Sequence, residues 1–164
     1  MAIQNLNLND VYTHVKVRFT IPIIRLPAGF HLPLPEYQTT GAAGMDLSAR
    51  IPDPVNIEPG DRHLVPCGFS LAIPPGYEGQ IRPRSGLANR YGVTVLNAPG
   101  TIDSDYRGEV QVLLINHGRD TFVIEPDMRI AQLVVSPVSQ VVWDTVTVLP
   151  KTDRDDGGFG HTGT

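Results

Sequence analysis

The residues with most to offer chemically lie in three short stretches. The first, Asn97 to Gly108, reads NAPGTIDSDYRG. Runs rich in β-branched residues flank it, VTVLN (93–97) before and EVQVLLIN (109–116) after, while its own Pro, Gly and Asp make poor strand. A loop held at both ends by sheet can present backbone groups and carboxylates to a ligand outside the sheet. Asp103 and Asp105 supply carboxylates, and only one of the two is expected to face the ligand. Tyr106 offers a ring to a sugar or base, and Asn97 a hydrogen-bonding edge. A carboxylate in such a loop is usually a turn former; its company here is what favours chemistry.

The second stretch is PRSGLA, 83–88. Arg84 carries a planar fork of donors, Ser85 a hydroxyl, and the Gly86 and Leu87 amides open a short helix, all within reach of one phosphate. An ordinary capped helix with a solvated Arg fits the motif equally well. Arg82 could share that face if GQIRPR is a strand, although Pro83 complicates the geometry. The third stretch is the end of the chain, KTDRDDGGFGHTGT (151–164). By composition alone it reads as a disordered tail. Its GGFG amides could instead curl around phosphate oxygens, with Arg154 adding charge and Phe159 a stacking face. It lacks the GxxxxGK[ST] order of a Walker loop.

Two supporting segments accompany these. In AAGMDLSA, Asp46 precedes a strand-like run, where a turn or cap role is the plainer reading, and Gly44 allows close backbone approach. In RIAQLVV, Arg129 and Gln132 interrupt an apolar strand. Strand geometry sends them to opposite faces, so one should reach the site and the other brace it.

The elements that must position these residues read as strands. Short β-rich runs recur with turn residues between them, in a chain of 164 residues carrying 16 Gly and 15 Pro. HVKVRFTI, RHLVPCGFSLAI, GQIRP, VTVLN, EVQVLLIN, DTFVIE, RIAQLVVSPV and VVWDTVTVL are the candidates, the last ending at Pro150. The pattern predicts an all-β sandwich, jelly roll or barrel. A single helix of one or two turns is expected after Ser85 as N-cap, stopped by Gly92. Residues 1–14, polar and Asn-rich, read as a flexible leader, 15–150 as one β domain and 151–164 as a flexible arm.

A net charge of −4 with no block of Lys or Arg argues against polymeric nucleic acid as a partner, but leaves room for a single triphosphate. The lone Cys67 reads as a small buried residue. The apolar run 21–24 is too short to span a bilayer and residues 1–10 do not form a signal peptide, so a cytoplasmic protein is expected. His14, His31, His63, His117 and His161 show no metal-ligand spacing.

Taken together, AAGMDLSA, PRSGLA, GTIDSDYRGEV, RIAQLVV and RDDGGFGHTG, in this order, resemble the five motifs of the trimeric dUTPase family (deoxyuridine triphosphate nucleotidohydrolases) from about Val15 to Gly163. The resemblance implies a jelly-roll subunit with one short helix and a homotrimer whose three active sites are shared between subunits. It implies hydrolysis of dUTP to dUMP and pyrophosphate at the α-phosphate, which limits uracil incorporation into DNA and supplies dUMP for dTMP synthesis. Asp103 then activates the water. Asn97 and the loop backbone at Thr101 and Ile102 read the uracil, and Tyr106 stacks under the deoxyribose. Arg84, Ser85, Gly86 and Gln132 hold phosphates, joined by Arg154 and the amides of Gly157, Gly158 and Gly160, while Phe159 covers the base. Asp46 and Arg129 form a bracing pair. Mg²⁺ is implied as a cofactor held by the triphosphate and waters, with no direct protein ligand. Two other readings share part of this pattern: a dCTP deaminase-like enzyme, and a dUTP-sensing regulatory protein that uses the leader to contact a partner.

Overall fold

A computed structural model describes residues 19–27 and 33–158. Among them are ten strands and one helix: β1 Ile23–Arg25, β2 Met45–Ser48, β3 Val55–Ile57, β4 Arg62–Leu71, β5 Tyr77–Pro83, α1 Ser85–Tyr91, β6 Val93–Val95, β7 Gly100–Ile102, β8 Glu109–Asn116, β9 Phe122–Ile124 and β10 Arg129–Pro137. They form a sheet in the order β1-β4-β8-β6, a second in the order β2-β10-β5-β7, and the small pair β3-β9. Every pairing is antiparallel. The expected all-β, jelly-roll-like subunit is what the chain adopts, with one short helix among the described residues.

Alternation places the core. On β4, Val65, Cys67, Phe69 and Leu71 are buried, and on β8 Val110, Val112 and Leu114. Leu47, Ile81, Ile102, Ile130, Ala131 and Leu133 of the second sheet join the same apolar cluster. Removing each such large aliphatic side chain from water stabilises the fold by about 1.5–3 kcal/mol. Along β5, buried Gly79 and Ile81 alternate with outward Glu78, Gln80 and Arg82. The outward three bond along the strand: the Gln80 amide donates to Glu78 at 2.7 Å, and Arg82 Nε donates to Gln80 at 2.9 Å. Arg82 is thus engaged with its own strand.

Several expectations need correction. Three residues of the Asn97–Gly108 stretch, Gly100 to Ile102, do form a strand, β7, because Ile81, Gln80 and Gly79 of β5 supply a ladder for them. The first strand among the described residues is Ile23–Arg25; residues 19–21 of HVKVRFTI lie outside any strand, and 14–18 lie outside the described residues. The run VVWDTVTVL forms no strand. Among the described residues it pairs with no strand, and a ladder requires a partner. Val142 is 97% and Trp143 88% exposed there. Ser85 is the first helical residue; the cap position belongs to Arg84, in extended backbone with φ −90° and ψ 124°, and no side chain caps the helix. Gly92 ends α1 as expected, with φ +70° and its N–H donating to Ala88 O at 3.0 Å. No helix among the described residues is long and apolar enough to cross a membrane. The leader 1–14, together with His14, His31 and His161, lies outside the described residues.

Candidate functional site

Strand pairing brings Asp46, Arg84, Arg129 and Gln132 to one end of the second sheet. On β2, Asp46 stands opposite Gln132 of β10, which stands opposite Arg82 of β5. Arg84 Nε donates to Asp46 Oδ1 at 3.1 Å, and Arg129 Nη1 donates to Asp46 Oδ2 at 3.0 Å. Arg84 also donates through Nη1 to the Arg129 carbonyl at 3.1 Å. One carboxylate therefore orients two guanidiniums, each by an oxygen of its own. Asp46 is a brace and no mere turn former.

The expected divergence of Arg129 and Gln132 does not occur. An irregularity between Arg129 and Ala131 inserts a residue into the pairing, so Ile130 and Ala131 are both buried in succession. That bulge reverses the alternation and returns Arg129 and Gln132 to one face. Gln132 Nε2 donates to Pro83 O at 3.0 Å, fixing the residue before Arg84. The close approach expected at Gly44 is real: a Cβ there would lie 2.5 Å from Gln132 Oε1. Next to this cluster, Ser85 and Gly86 are exposed at the start of α1, where amides have no carbonyl one turn back. Leu87 is different. Its N–H donates to Arg84 O at 3.1 Å and its side chain is buried, so it anchors the helix.

A second group lies along β7. Asn97 is exposed after β6, the Ala98–Pro99 peptide is cis, and Asn97 Nδ2 packs against Gly100. Thr101 and Asp103 are exposed on one side, while Ile102 is buried in the core and can offer a ligand only its backbone. After Asp103 the chain turns, closed by the Tyr106 N–H donating to Asp103 O at 3.2 Å. Residues two apart in extended chain share a side, so it is this turn that separates Asp103 from Asp105, and both are exposed. Among the described residues the Asp103 carboxylate meets no cation.

These two groups do not meet within one chain. Ile102 pairs with Gly79, which puts Asp103 at the start of β5, whereas Arg84 follows its end. From Gly79 to Arg84 the strand rises by about 16 Å. The C-terminal stretch is a third, separate group: Arg154 is exposed and turns back to donate from Nε to Gly157 O at 2.8 Å. Gly157 and Gly158 are described; Phe159 and Gly160 lie outside the described residues.

Cys67 is buried, and its thiol is pushed up to about 12 by burial first and by the Glu109 charge second. It holds its proton and takes no part as a nucleophile. Sequence reading missed Arg107 and Glu109, which bond to the backbone around the Asp103 turn and to β4. Only the adjacency of Arg107 to Tyr106 and Gly108 pointed to them.

The dUTPase family model matches residues 30–163. A protein of Rhizobium meliloti (strain 1021) named deoxyuridine 5'-triphosphate nucleotidohydrolase is 56% identical over 146 residues, covering 88% of this chain and 91% of its own. One of Rhizobium rhizogenes (strain K84) with the same name is 57% identical over 152 residues, covering 92% and 97%. Among solved structures, the dUTPase of Staphylococcus bacteriophage 80alpha with dUPNHPP superposes with a TM-score of 0.79 over 88% of this chain and 99% of that one, at 22% identity. A phage phi11 dUTPase of S. aureus, described for its coordination of a structural Mg(II) ion, gives 0.70 over 79% and 98% at 20% identity. At such identities the structures establish a shared fold. The family model and the relatives establish more: this chain belongs to the dUTPase family.

Proposed function

We propose that the chain hydrolyses dUTP to dUMP and pyrophosphate by water attack on the α-phosphate, in sites shared among the copies of a homotrimer. The observation that carries the reading is the contrast between its two central aspartates. Asp46 is engaged at both oxygens by arginines, whereas Asp103 is exposed, meets no cation among the described residues and is held on a closed turn. The name of the relatives supplies the substrate.

Hydrolysis at a phosphate needs a water in line with the leaving oxygen, a carboxylate to orient it and accept its proton, and donors on the phosphates. Asp103 is the carboxylate. Arg84, Ser85, Gly86 and Gln132 hold the phosphates, with Asp46 and Arg129 keeping Arg84 in place. Asn97 and the Thr101 and Ile102 backbone read the uracil edge, and Tyr106 lies under the deoxyribose. Arg154 and the amides of Gly157, Gly158 and Gly160 close over the outer phosphates, with Phe159 above the base; residues 151–164 act as an arm on the β domain of 15–150. Backbone groups fixed for uracil are left unpaired by cytosine, at about 1–3 kcal/mol for each buried group.

The separation of Asp103 and Arg84 along β5 supports sharing between copies. The exposed Val141, Val142, Trp143, Val146, Val148 and Leu149 are further support, because an apolar run of this kind is stabilised by burial against another copy. No three His, Cys, Asp or Glu side chains among the described residues converge to hold a metal ion. With Asp46 already engaged, the donor set suits a Mg²⁺ carried in on the triphosphate and waters. When bound, Mg²⁺ supplies positive charge to the phosphate oxygens.

The deciding experiment is pyrophosphate release from dUTP, dTTP, dCTP and UTP with Mg²⁺. Release from dUTP far above the others is expected. Ammonia release from dCTP would make the chain a deaminase. Capture of a protein partner that depends on dUTP, without pyrophosphate release, would make it a sensor.

A further inference from the structure

We infer that Arg107 is a positioning residue that sets the shape of the Asp103–Tyr106 turn, with Tyr106, Gly108 and Glu109 fastening that turn to the sheet. The inference rests on the reading above, in which Asp103 orients the water and Tyr106 lies against the sugar.

The turn has one backbone bond of its own, from Tyr106 N to Asp103 O, and at 3.2 Å it is long. Arg107 supplies what that bond lacks. Its Nη1 donates to Ser104 O at 2.7 Å and to Tyr106 O at 2.7 Å, so one nitrogen fixes the carbonyls on both sides of Asp105. Both are charge-assisted bonds, about twice as strong as neutral ones. A second fastening is made by the Tyr106 hydroxyl, which donates to Glu109 O at 3.0 Å. The ring reaches that carbonyl by crossing Gly108, where a Cβ would lie 2.3 Å from the hydroxyl oxygen, so a larger residue there would displace the ring from this position.

Glu109 is itself anchored. Its Oε1 accepts from Gly68 N at 2.8 Å, at the irregularity of β4 between Pro66 and Ser70, where Gly68 has φ +77°. A path of bonds thus runs from the β4 bulge through Glu109 and Tyr106 to the turn that carries Asp103. Tyr106 and Arg107 are exposed, and exposed polar contacts contribute little to global stability. What they control is local geometry, and a small displacement of a reacting group suffices to lower turnover strongly.

The test compares Arg107→Met, which keeps the apolar stem without the charge, with Arg107→Lys, whose single nitrogen can still bridge two carbonyls. The expected result is a kcat about 10- to 100-fold below wild type for Met, recovery to within about threefold for Lys, and unchanged melting temperatures. A Met variant within about fivefold of wild type, or a Lys variant no faster than Met, overturns the inference. Amide exchange across residues 103–109 reads the same fastening without turnover: faster in Met and unchanged in Lys is expected, and equal rates in all three overturn it. If Met does not fold, Arg107→Gln takes its place and should lie below Lys in both measurements. Wild-type protein that releases no pyrophosphate from dUTP would refute the functional reading, and the exchange comparison would still decide the role of Arg107.

Discussion

Asp46 and Asp103 are carboxylates on the same sheet in opposite circumstances. Asp46 accepts from Arg84 and Arg129 at 3.1 and 3.0 Å and is one-fifth exposed. Asp103 stands free at the far end of β5, on a turn fastened by its neighbours. The difference teaches where each residue type is put to use. A carboxylate that orients two arginines contributes rigidity to the groups proposed to hold phosphate, and a carboxylate left to solvent remains available to a water. Removing the one should loosen a structure, and removing the other should stop a reaction.

The largest effect is expected from Asp103→Asn: nucleotide binding retained and kcat lowered by about 10²-fold or more, with an unchanged melting temperature, as judged by calorimetry and pyrophosphate release. Near wild-type turnover would remove Asp103 as the base and collapse the contrast. Deleting residues 151–164 leaves both aspartates where they are. The core should melt normally while efficient hydrolysis is lost, showing that a free carboxylate is insufficient without the arm; unchanged kinetics would contradict that role for the arm.

Asp46→Asn should produce the converse pattern. With the charge gone, Arg84 and Arg129 face one another, and breaking this partly exposed network should lower stability by about 1 kcal/mol and kcat/KM by about tenfold. A loss confined to kcat with no change in melting temperature would mean that Asp46 acts on the substrate directly. The smallest effect concerns neither aspartate. Cys67 holds its proton up to about 12 in the fold, against 9.0 for an ordinary thiol. The folded chain binds more protons than the unfolded one across that window, so this contribution is complete below pH 9 and declines as pH rises towards 12. Cys67→Ala should flatten that decline in a pH series of denaturant melts, and a slope equal to wild type would exclude the thiol as its source.

Much of this was legible in the sequence, for physical reasons that also explain the exceptions. Alternation and turn residues located β4, β5, β8 and β10 because those strands bury one face. The five motifs pointed to the family because each carries side chains that a plain strand or turn does not require. Register was out of reach. The bulge beside Ile130 that brings Arg129 and Gln132 to one face leaves no local mark on composition. Nor does the ladder on β5 that makes a strand of Gly100 to Ile102 in a loop rich in turn formers. The run from Val141 to Leu149 shows the reverse error: a strong strand propensity that finds no partner among the described strands. Arg107 and Glu109 were missed because their role rests on backbone carbonyls and an amide brought close only by folding.

Complementation decides whether Asp103 and Arg84 act together only across copies, as proposed. Asp103→Asn and Arg84→Ala, each inactive alone, are co-expressed and purified as mixed assemblies. Pyrophosphate release restored to about a quarter of wild type is expected, because a site can then draw an intact Asp103 from one copy and an intact Arg84 from another. Activity no higher than that of either parent would place the whole site within a single chain and contradict the account.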